Sequence, residues 1–291
     1  MKVLQFTIPV SANDTVIMQQ DILPHFYPYL HRHPEVQLTW VQKGEGTLLA
    51  GNSMHTFAPN EIYWFGPNQP HLFKSDAAYF SKRSKKTSQS LSLFFNPDGR
   101  LEPLLDLPEF KNMQKFLAQY PSGFKLPDQH VAEIASLMTQ VGKTSGIERF
   151  IVFIEIFRKL LGYGKLTPLS STPPPTRYSE HDGIKIGQVY NYIIQYYNKS
   201  ITLEDVAKQA HMTPQAFCRY FKKHTRQTFV AFLNEMRINE ACKQLIESDY
   251  DSIGTIAYNC GFNSITNFNR VFKSVTRLTP SKYMEKVRSY N

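Results

Sequence analysis

Two short segments near the end of the chain share the pattern F-x-R-x-F-K, in which aromatic and basic side chains alternate. An arginine can bind guanine bidentately or clamp a phosphate, and a lysine can add a phosphate contact. Gln215, Asn267 and Asn269 lie among them and carry amides that can read adenine. The chemistry of these side chains predicts a nucleic acid as the ligand. The two copies are Phe217, Arg219, Phe221, Lys222 and Phe268, Arg270, Phe272, Lys273.

The two copies belong to longer repeats, LEDVAKQAHMTPQAFCRYFKK and IGTIAYNCGFNSITNFNRVFKS. Each repeat starts with apolar residues at helical spacing, then has a polar turn, then a second helical stripe, which predicts a helix-turn-helix. A scaffold of helical repeats with solvated basic residues is the alternative. Duplication of both the apolar spacing and the basic face favours DNA binding.

A single helix is predicted over residues 228–247, between the two repeats. A helix of this length spans roughly 30 Å, close to the roughly 34 Å between successive major grooves on one face of DNA. We therefore expect one chain to place two recognition helices in adjacent grooves. Thr202, and Thr213 followed by Pro214, are expected to begin the two helices of the first repeat.

Residues 184–288 resemble the DNA-binding domain of the AraC/XylS family of bacterial transcription regulators. The resemblance rests on DVAKQAHMTPQAFCRYFKK, RINEACKQL and SIGTIAYNCGFNSITNFNRVFKSVTRLTPSKY. It implies promoter binding, often as a dimer on direct repeats, and activation through contacts with RNA polymerase. The family's base-contacting positions fall on Gln215, Cys218 and Arg219 and on Ile265, Thr266 and Arg270, with Lys222, Asn269 and Lys273 as neighbours.

The sequence departs from the family at the end of each recognition helix, where glycine is usual and this chain has Arg226 and Arg277. A left-handed backbone at such a site costs a residue other than glycine about 1 kcal/mol. Added phosphate contacts are a second interpretation of these arginines.

In the first half of the chain, His31, His33, Glu35 and Gln37 are spaced by two, so on one strand all four would face the same way. His71 follows the turn sequence GPNQP. This pattern resembles the cupin barrel, whose enzymes hold a divalent metal with three histidines and a glutamate. Here Gln37 stands at a usual glutamate position, with Glu35 as a candidate substitute.

Three interpretations of these residues stay open: a metal site, a metal-free effector pocket, and histidines with a structural role only. We predict the metal-free pocket, with Trp40 and Trp64 in its lining and a small molecule such as a sugar as the effector. The alternative function is a metal-dependent cupin enzyme fused to a DNA-binding module. The sequence has no Walker loop, no G-x-S-x-G and no HExxH, so we expect neither catalytic residues nor a cofactor.

The expected fold is multidomain α+β. Residues 1–163 are expected to form a cupin-like β-barrel, with strands at 36–41, 47–50, 61–65 and 91–95. Accessory helices are expected over 101–163, one of them at 147–161, and we predict that they mediate dimerisation. A linker rich in Pro, Ser and Thr covers 164–182. Residues 183–291 are expected to form an all-α domain with two helix-turn-helix units.

The overall charge agrees with a polyanionic partner, because 33 Lys and Arg exceed 24 Asp and Glu and give a net charge of +9. The three cysteines, Cys218, Cys242 and Cys260, have neither disulfide-framework nor zinc-finger spacing and are expected to be reduced thiols. The sequence shows neither a signal peptide nor a long apolar segment. We therefore expect a cytoplasmic protein with no membrane partner.

Overall fold

The computed structural model describes residues 14–51, 53–81, 83–170, 180–225, 227–247 and 252–288. The chain divides into two compact units, Met1–Thr176 and Arg177–Asn291. The described part of the first unit contains sheets and helices, and that of the second contains helices. The expected multidomain α+β class is confirmed. Within the described ranges, no helix is long and apolar enough to cross a membrane.

The strands of the N-terminal unit form two antiparallel sheets. The larger sheet has the order β1-β7-β2-β5-β8 and the smaller one β4-β3-β6. In the larger sheet Gln37 lies opposite Phe65, and Thr39 lies opposite Tyr63. The strands are β1 (Val16–Leu23), β2 (Val36–Lys43), β3 (Gly46–Ala50), β4 (Ser53–Phe57), β5 (Glu61–Phe65), β6 (His71–Ser75), β7 (Ser88–Phe95) and β8 (Phe124–Lys125).

The expected closed barrel is therefore replaced by two separate sheets. The four predicted strands are present, and the strand predicted at 91–95 begins earlier, at Ser88. The strands β1, β4, β6 and β8 were not predicted, because sequences such as VIMQQDIL and HLFKS mix polar and apolar residues without strict alternation.

Helices cover one face of the larger sheet. They are α1 (Glu102–Leu105), α2 (Lys111–Gln119), α3 (Asp128–Lys143) and α4 (Gly146–Gly162), which confirms the helix predicted at 147–161 and those upstream of it. Phe153 and Phe157 of α4 pack edge-on against Phe95. Strand alternation sends Leu38 and Trp64 towards these helices, and Val41 and Phe65 towards the smaller sheet.

The first residues of the predicted linker belong to the N-terminal unit. Leu166 and Leu169 are buried in it, and the carbonyl oxygen of Leu169 lies 2.7 Å from Nε2 of His55. Residues 171–179 of the linker lie outside the described residues, and a helix has already begun at Glu180.

The C-terminal unit is built around one long helix. That helix, α8 (Phe229–Glu247), packs against α7 on one side and against α9, α10 and α11 on the other. Its bounds agree with the helix predicted at 228–247. The other helices are α5 (Glu180–Tyr196), α6 (Leu203–Gln209), α7 (Pro214–Thr225), α9 (Ile253–Asn259), α10 (Ile265–Thr276) and α11 (Pro280–Arg288).

The predicted helix starts are confirmed. Thr202 caps α6 in a capping box: its Oγ1 accepts from the Asp205 N–H, and the Asp205 carboxylate accepts from the Thr202 N–H. α7 begins at Pro214, and Oγ1 of Thr213 accepts from the Ala216 N–H at 3.3 Å.

Candidate DNA interface and sensor site

The second helix of the first repeat, α7, separates its predicted DNA-binding residues cleanly from its core. Gln215, Cys218, Arg219 and Lys222 are all exposed and follow the spacing i, i+3, i+4, i+7, so they share one helix face. Phe217 and Phe221 are fully buried on the other side. The structure thus presents a polar and basic stripe to solvent.

The second helix of the second repeat, α10, has the same arrangement. Phe268 and Phe272 are fully buried, and Nη2 of Arg270 donates to Oδ1 of Asn267 at 2.8 Å. That bond orients the Arg270 guanidinium on the exposed face. The residues predicted to bind DNA on this helix are all exposed: Ile265, Thr266, Asn269, Arg270 and Lys273. That the exposed faces of α7 and α10 contact DNA stays a prediction.

The two recognition helices also end alike. Oγ1 of Thr225 donates to the Phe221 carbonyl, and Oγ1 of Thr276 donates to the Phe272 carbonyl, both at 2.8 Å. Arg277 then takes a left-handed backbone with φ 64°, which confirms the conformation expected there. Arg226 lies outside the described residues.

The turns of the two units match as well, because His211 (φ 54°) and Gly261 (φ 87°) occupy equivalent left-handed positions. The described part of the C-terminal unit therefore contains the same sequence of helix, turn, helix and threonine cap twice.

In the N-terminal unit, three of the predicted histidines and one glutamine meet. Nε2 of His33 and Nε2 of His71 each lie 2.9 Å from Oε1 of Gln37, and the rings of His31 and His71 are 4.4 Å apart. They do not share one strand as predicted, because β2 begins only at Val36, after Pro34, whose missing N–H cannot join a ladder. A bridge between His31 and His71 brings the two segments together instead.

Burial keeps these imidazoles neutral. Desolvation lowers the pKa of His31 to about 4 and lowers the pKa of His33 and of His71 below the usual 6.5. In each ring Nδ1 lies within 3.0 Å of a backbone carbonyl, that of Tyr29, Glu35 and Gln69 respectively. A neutral ring has one N–H, which His33 and His71 can donate either through Nδ1 to the backbone carbonyl or through Nε2 to Oε1 of Gln37.

The polar network continues to residues that the sequence analysis missed. Nε2 of Gln37 donates to Oγ1 of Thr39 at 2.6 Å, and Thr39 lies 2.9 Å from Oγ of Ser92. Ser88, Ser90 and Ser92 occupy every second position of β7, alternating with Gln89, Leu91 and Leu93, and all three serines are buried. The S-x-S-x-S spacing in the sequence could have predicted this polar face, because alternate residues of a strand point the same way.

Two tryptophans and one glutamate are not where the sequence placed them. Trp40 and Trp64 lie on the helix-covered face of the sheet, because adjacent strand residues face opposite ways. Trp64 stacks on Phe124 at 5.5 Å. Oε2 of Glu35 lies 3.5 Å from Nδ1 of His33, on the side of the ring away from Gln37. Neither tryptophan belongs to the polar network around Gln37, and Glu35 touches that network through His33.

The histidines are compatible with a metal ion. His31, His33 and His71 each offer one ligand atom, and these atoms lie within 4.8 Å of one another. Backbone carbonyls on Nδ1 are the usual orienting partners of metal-bound histidines. The position of Glu35 removes it from the ligand set, so a fourth protein ligand would be the neutral amide of Gln37.

Comparison with known families covers both units. Residues 206–286 match a family described as a helix-turn-helix domain, and residues 16–84 match one described as an AraC-like ligand binding domain. The first match contains the exposed faces of both α7 and α10, and the second contains the histidine cluster.

Bacterial relatives of the chain are named as regulators of transcription. PocR, a regulatory protein of Salmonella typhimurium, is 34% identical over 107 residues, which cover 37% of this chain and 35% of PocR. This chain therefore spans about a third of that relative. The HTH-type transcriptional activator RhaS of Salmonella schwarzengrund is 21% identical over 253 residues, 86% of this chain and 85% of RhaS.

The chain is also similar to solved structures. One is ToxT of Vibrio cholerae with an unsaturated fatty acid bound, which is 15% identical with TM-score 0.35 and covers 94% of this chain and 95% of ToxT. The DNA-binding domain of AdpA in complex with a target DNA is 24% identical over 37% of this chain and 96% of that domain, with TM-score 0.35. The chain therefore combines a segment similar to an AraC-like ligand binding domain with a segment similar to a helix-turn-helix domain, and its relatives include transcription regulators.

Proposed function

We propose that this protein is a transcription regulator that binds promoter DNA through the exposed faces of α7 and α10. The observation that carries this proposal is the duplication of a basic, polar stripe on two helices that share the same buried phenylalanine pair and the same threonine cap. A structural repeat needs the phenylalanines, but it has no need for arginine and lysine at the same exposed positions twice.

The test is a salt titration of binding between the purified full chain and DNA from upstream of its own and neighbouring genes, with random DNA as competitor. Phosphate contacts release counterions, so affinity should fall steeply with salt. Selective binding, several orders of magnitude tighter than to random DNA, is expected of a specific regulator. Equal affinity for promoter and random DNA, with and without candidate effectors, would count against the proposal.

The N-terminal unit is proposed to bind a small effector at the Gln37 network. Its polar groups are neutral imidazoles, an amide and hydroxyls, buried beside the ring of Phe65, which stacks on His71 at 4.2 Å. Such a set can exchange hydrogen bonds with a neutral molecule rich in hydroxyl groups, and an aromatic face can support a sugar ring. A sugar-like effector fits this chemistry better than a charged one.

A thermal-shift screen with a panel of neutral monosaccharides tests the effector. A binding sugar should raise the unfolding temperature of the wild type, because a ligand that binds the native state stabilises it. Thr39→Val should abolish the shift, whereas Thr47→Val, on the smaller sheet, should keep it. A screen in which the same sugars shift both variants equally would place the effector elsewhere.

Self-association is proposed through α4. Ile147 and Ile151 are 70% and 60% exposed, and Leu161 on the same helix is 41% exposed. Burying these exposed apolar side chains in an interface lowers the free energy of the protein in water. A second copy of the chain offers the same apolar face, so the two copies can bury it together. Ile151→Asp should shift the sedimentation of the full chain towards monomer, while Leu107→Asp, which changes an exposed leucine outside α4, should not.

Activation through contact with RNA polymerase, in the cytoplasm where promoters are found, completes the proposal. The relatives named as transcriptional activators support this direction of control. Transcription in vitro from a bound promoter, with and without the protein, tests it.

A metal-dependent cupin enzyme fused to the DNA-binding unit is the second candidate, favoured by the converging ligand atoms of His31, His33 and His71. A bound ion would supply a Lewis acid, and the three imidazoles would hold it. Stoichiometric metal in the purified protein, lost in His33→Ala but kept in His55→Ala, would support this candidate. His55 is a partly buried histidine of β4, outside the cluster.

A further inference from the structure

We infer that Arg237 is a positioning residue that fixes the orientation of the two helix-turn-helix units relative to each other. This inference rests on the proposed DNA binding, which gives that orientation a purpose, but the contacts themselves are independent of DNA.

Arg237 lies on α8, the helix that both units share, just where the first core gives way to the second. On one side of it, Phe232 packs against Tyr190 of α5 at 4.9 Å. On the other side, Ile238 and Ala241 belong to the core formed with α9 and α10. The shared helix and the two cores packed on it set the separation of the units, and a direct contact between the first unit and the second adds a further point of attachment.

The Arg237 guanidinium supplies that attachment. Its Nε donates to the Tyr197 carbonyl at 2.8 Å, and its Nη2 donates to the Lys199 carbonyl at 2.9 Å. Both carbonyls follow the end of α5, and that of Lys199 also accepts from the Ile201 N–H at 3.0 Å. Because guanidinium donors are planar and fixed, two bonds to one segment hold that segment in one orientation.

The same guanidinium also touches the second helix-turn-helix unit. Its central carbon lies 5.7 Å from the centre of the Phe262 ring, over the face. Phe262 packs edge-on against Phe268 of α10 at 5.2 Å. Arg237 therefore joins the end of α5, in the first unit, to the aromatic core beneath the second recognition helix.

The turn of the second unit closes the contact. Gly261 has φ 87°, and a Cβ at this position would lie 2.8 Å from the Tyr197 carbonyl oxygen and 3.0 Å from Nε of Arg237. Real Cβ atoms essentially never come as close as the first of these distances. Glycine at 261 thus allows the turn of the second helix-turn-helix unit to pack directly on the backbone at Tyr197 and Asn198. Arg237 donates to carbonyls of the same 197–199 segment.

The orientation matters because two recognition helices held rigidly can match only one spacing of half-sites. Inserting one base pair moves the second half-site by about 3.4 Å along the axis and by about a tenth of a turn around it. A chain with a fixed orientation should lose affinity on such DNA. A chain without the Arg237 contacts should lose less, although its affinity for the correct spacing is lower.

The direct experiment measures the distance between α7 and α10 by double electron–electron resonance on the full chain without DNA. Spin labels are placed on the native, exposed Cys218 and on an introduced Ser274→Cys, while Cys242 and Cys260 are buried in the core. Labelled protein is diluted with unlabelled protein so that distances within one chain dominate. We expect a narrow distance distribution with Arg237 present and a broader one in Arg237→Ala.

Two further variants keep the result interpretable. Arg237→Lys retains the charge but cannot bridge two carbonyls with a planar fork, so it should also broaden the distribution. Val230→Ala, at an exposed site of the same helix, should leave it narrow. Circular dichroism confirms that each variant is folded. An unchanged width in folded Arg237→Ala and Arg237→Lys would overturn the inference.

The DNA arm uses the promoter fragment with its natural spacing and with one base pair inserted between half-sites. For each protein the affinity ratio of the two fragments is taken, so the lost positive charge cancels. The ratio should be smaller in Arg237→Ala than in the wild type, and an equal ratio would contradict a positioning role. Failure to find any specific promoter would refute the proposed function while leaving the distance measurement decisive for Arg237.

Discussion

Arg277 is a residue whose backbone conformation, rather than its contacts, sets its effect on stability. It follows α10 with φ 64°, where a side chain costs about 1 kcal/mol relative to glycine. Arg277→Gly should raise the free energy of unfolding by about that amount, measured by urea denaturation. Arg277→Ala should give no such gain, and an equal gain from alanine would mean that the arginine side chain, not the backbone, is responsible.

The buried histidines predict a pH dependence of stability. His31, His33, His55 and His71 all have a folded pKa below the unfolded value of about 6.5. The unfolded chain therefore binds more protons, so this stability is present above pH 6.5 and is lost as the pH falls towards the folded values, about 4 for His31.

Denaturation with EDTA present, at steps from pH 7.5 to about 5, measures this loss. His71→Asn should show a shallower decline than the wild type, with His55 and the remaining histidines accounting for the rest. A wild-type stability that is flat across this range would contradict neutral, desolvated imidazoles.

At this scale the sequence predicted residue types better than their surroundings. His31, His33, Gln37 and His71 were identified and do meet, although through a bridge rather than a shared strand. Trp40 lies three residues from Gln37 on β2, so alternation already places the two side chains on opposite faces. The face of Trp64 depends on the register between β2 and β5, which the sequence of one strand does not determine.

Among the elements, α6 has the clearest local determinant, the capping box of Thr202 and Asp205. Thr202→Ala removes the hydroxyl that accepts from the Asp205 N–H, and losses of this kind cost about 0.5 to 2 kcal/mol. We expect the unfolding free energy of the helix-turn-helix domain to fall by that amount. Thr202→Ser keeps the hydroxyl and should retain most of the stability; equal losses in both variants would argue against the cap.

Helices were easier to predict than strands in this chain. The bounds of α8 and α4 follow from apolar periodicity over many residues. The strands β4 and β6 are five residues long, and their burial depends on partners elsewhere in the chain. The predicted linker began too early, because Leu166 and Leu169 are isolated apolar residues whose burial needs the sheet beside them.

For the whole molecule, control by an effector requires thermodynamic linkage between the two domains. An effector that changes DNA affinity by some factor must itself bind more tightly, or more weakly, by the same factor when DNA is present. Titrating an effector found in the monosaccharide screen, with and without promoter DNA, measures both factors. An effector that binds with the same affinity in both titrations, and that leaves DNA affinity unchanged, would rule out control of DNA binding by that effector.

The central claim is that the faces of α7 and α10 read DNA bases, and the most direct test is specific binding by Arg219→Ala and Arg270→Ala. Each should weaken binding to the promoter site by about 1 to 3 kcal/mol, with a smaller effect on random DNA. Lys115→Ala removes an exposed positive charge from α2 in the other domain and serves as the control. Promoter affinity unchanged in both arginine variants would contradict the assignment of these two faces.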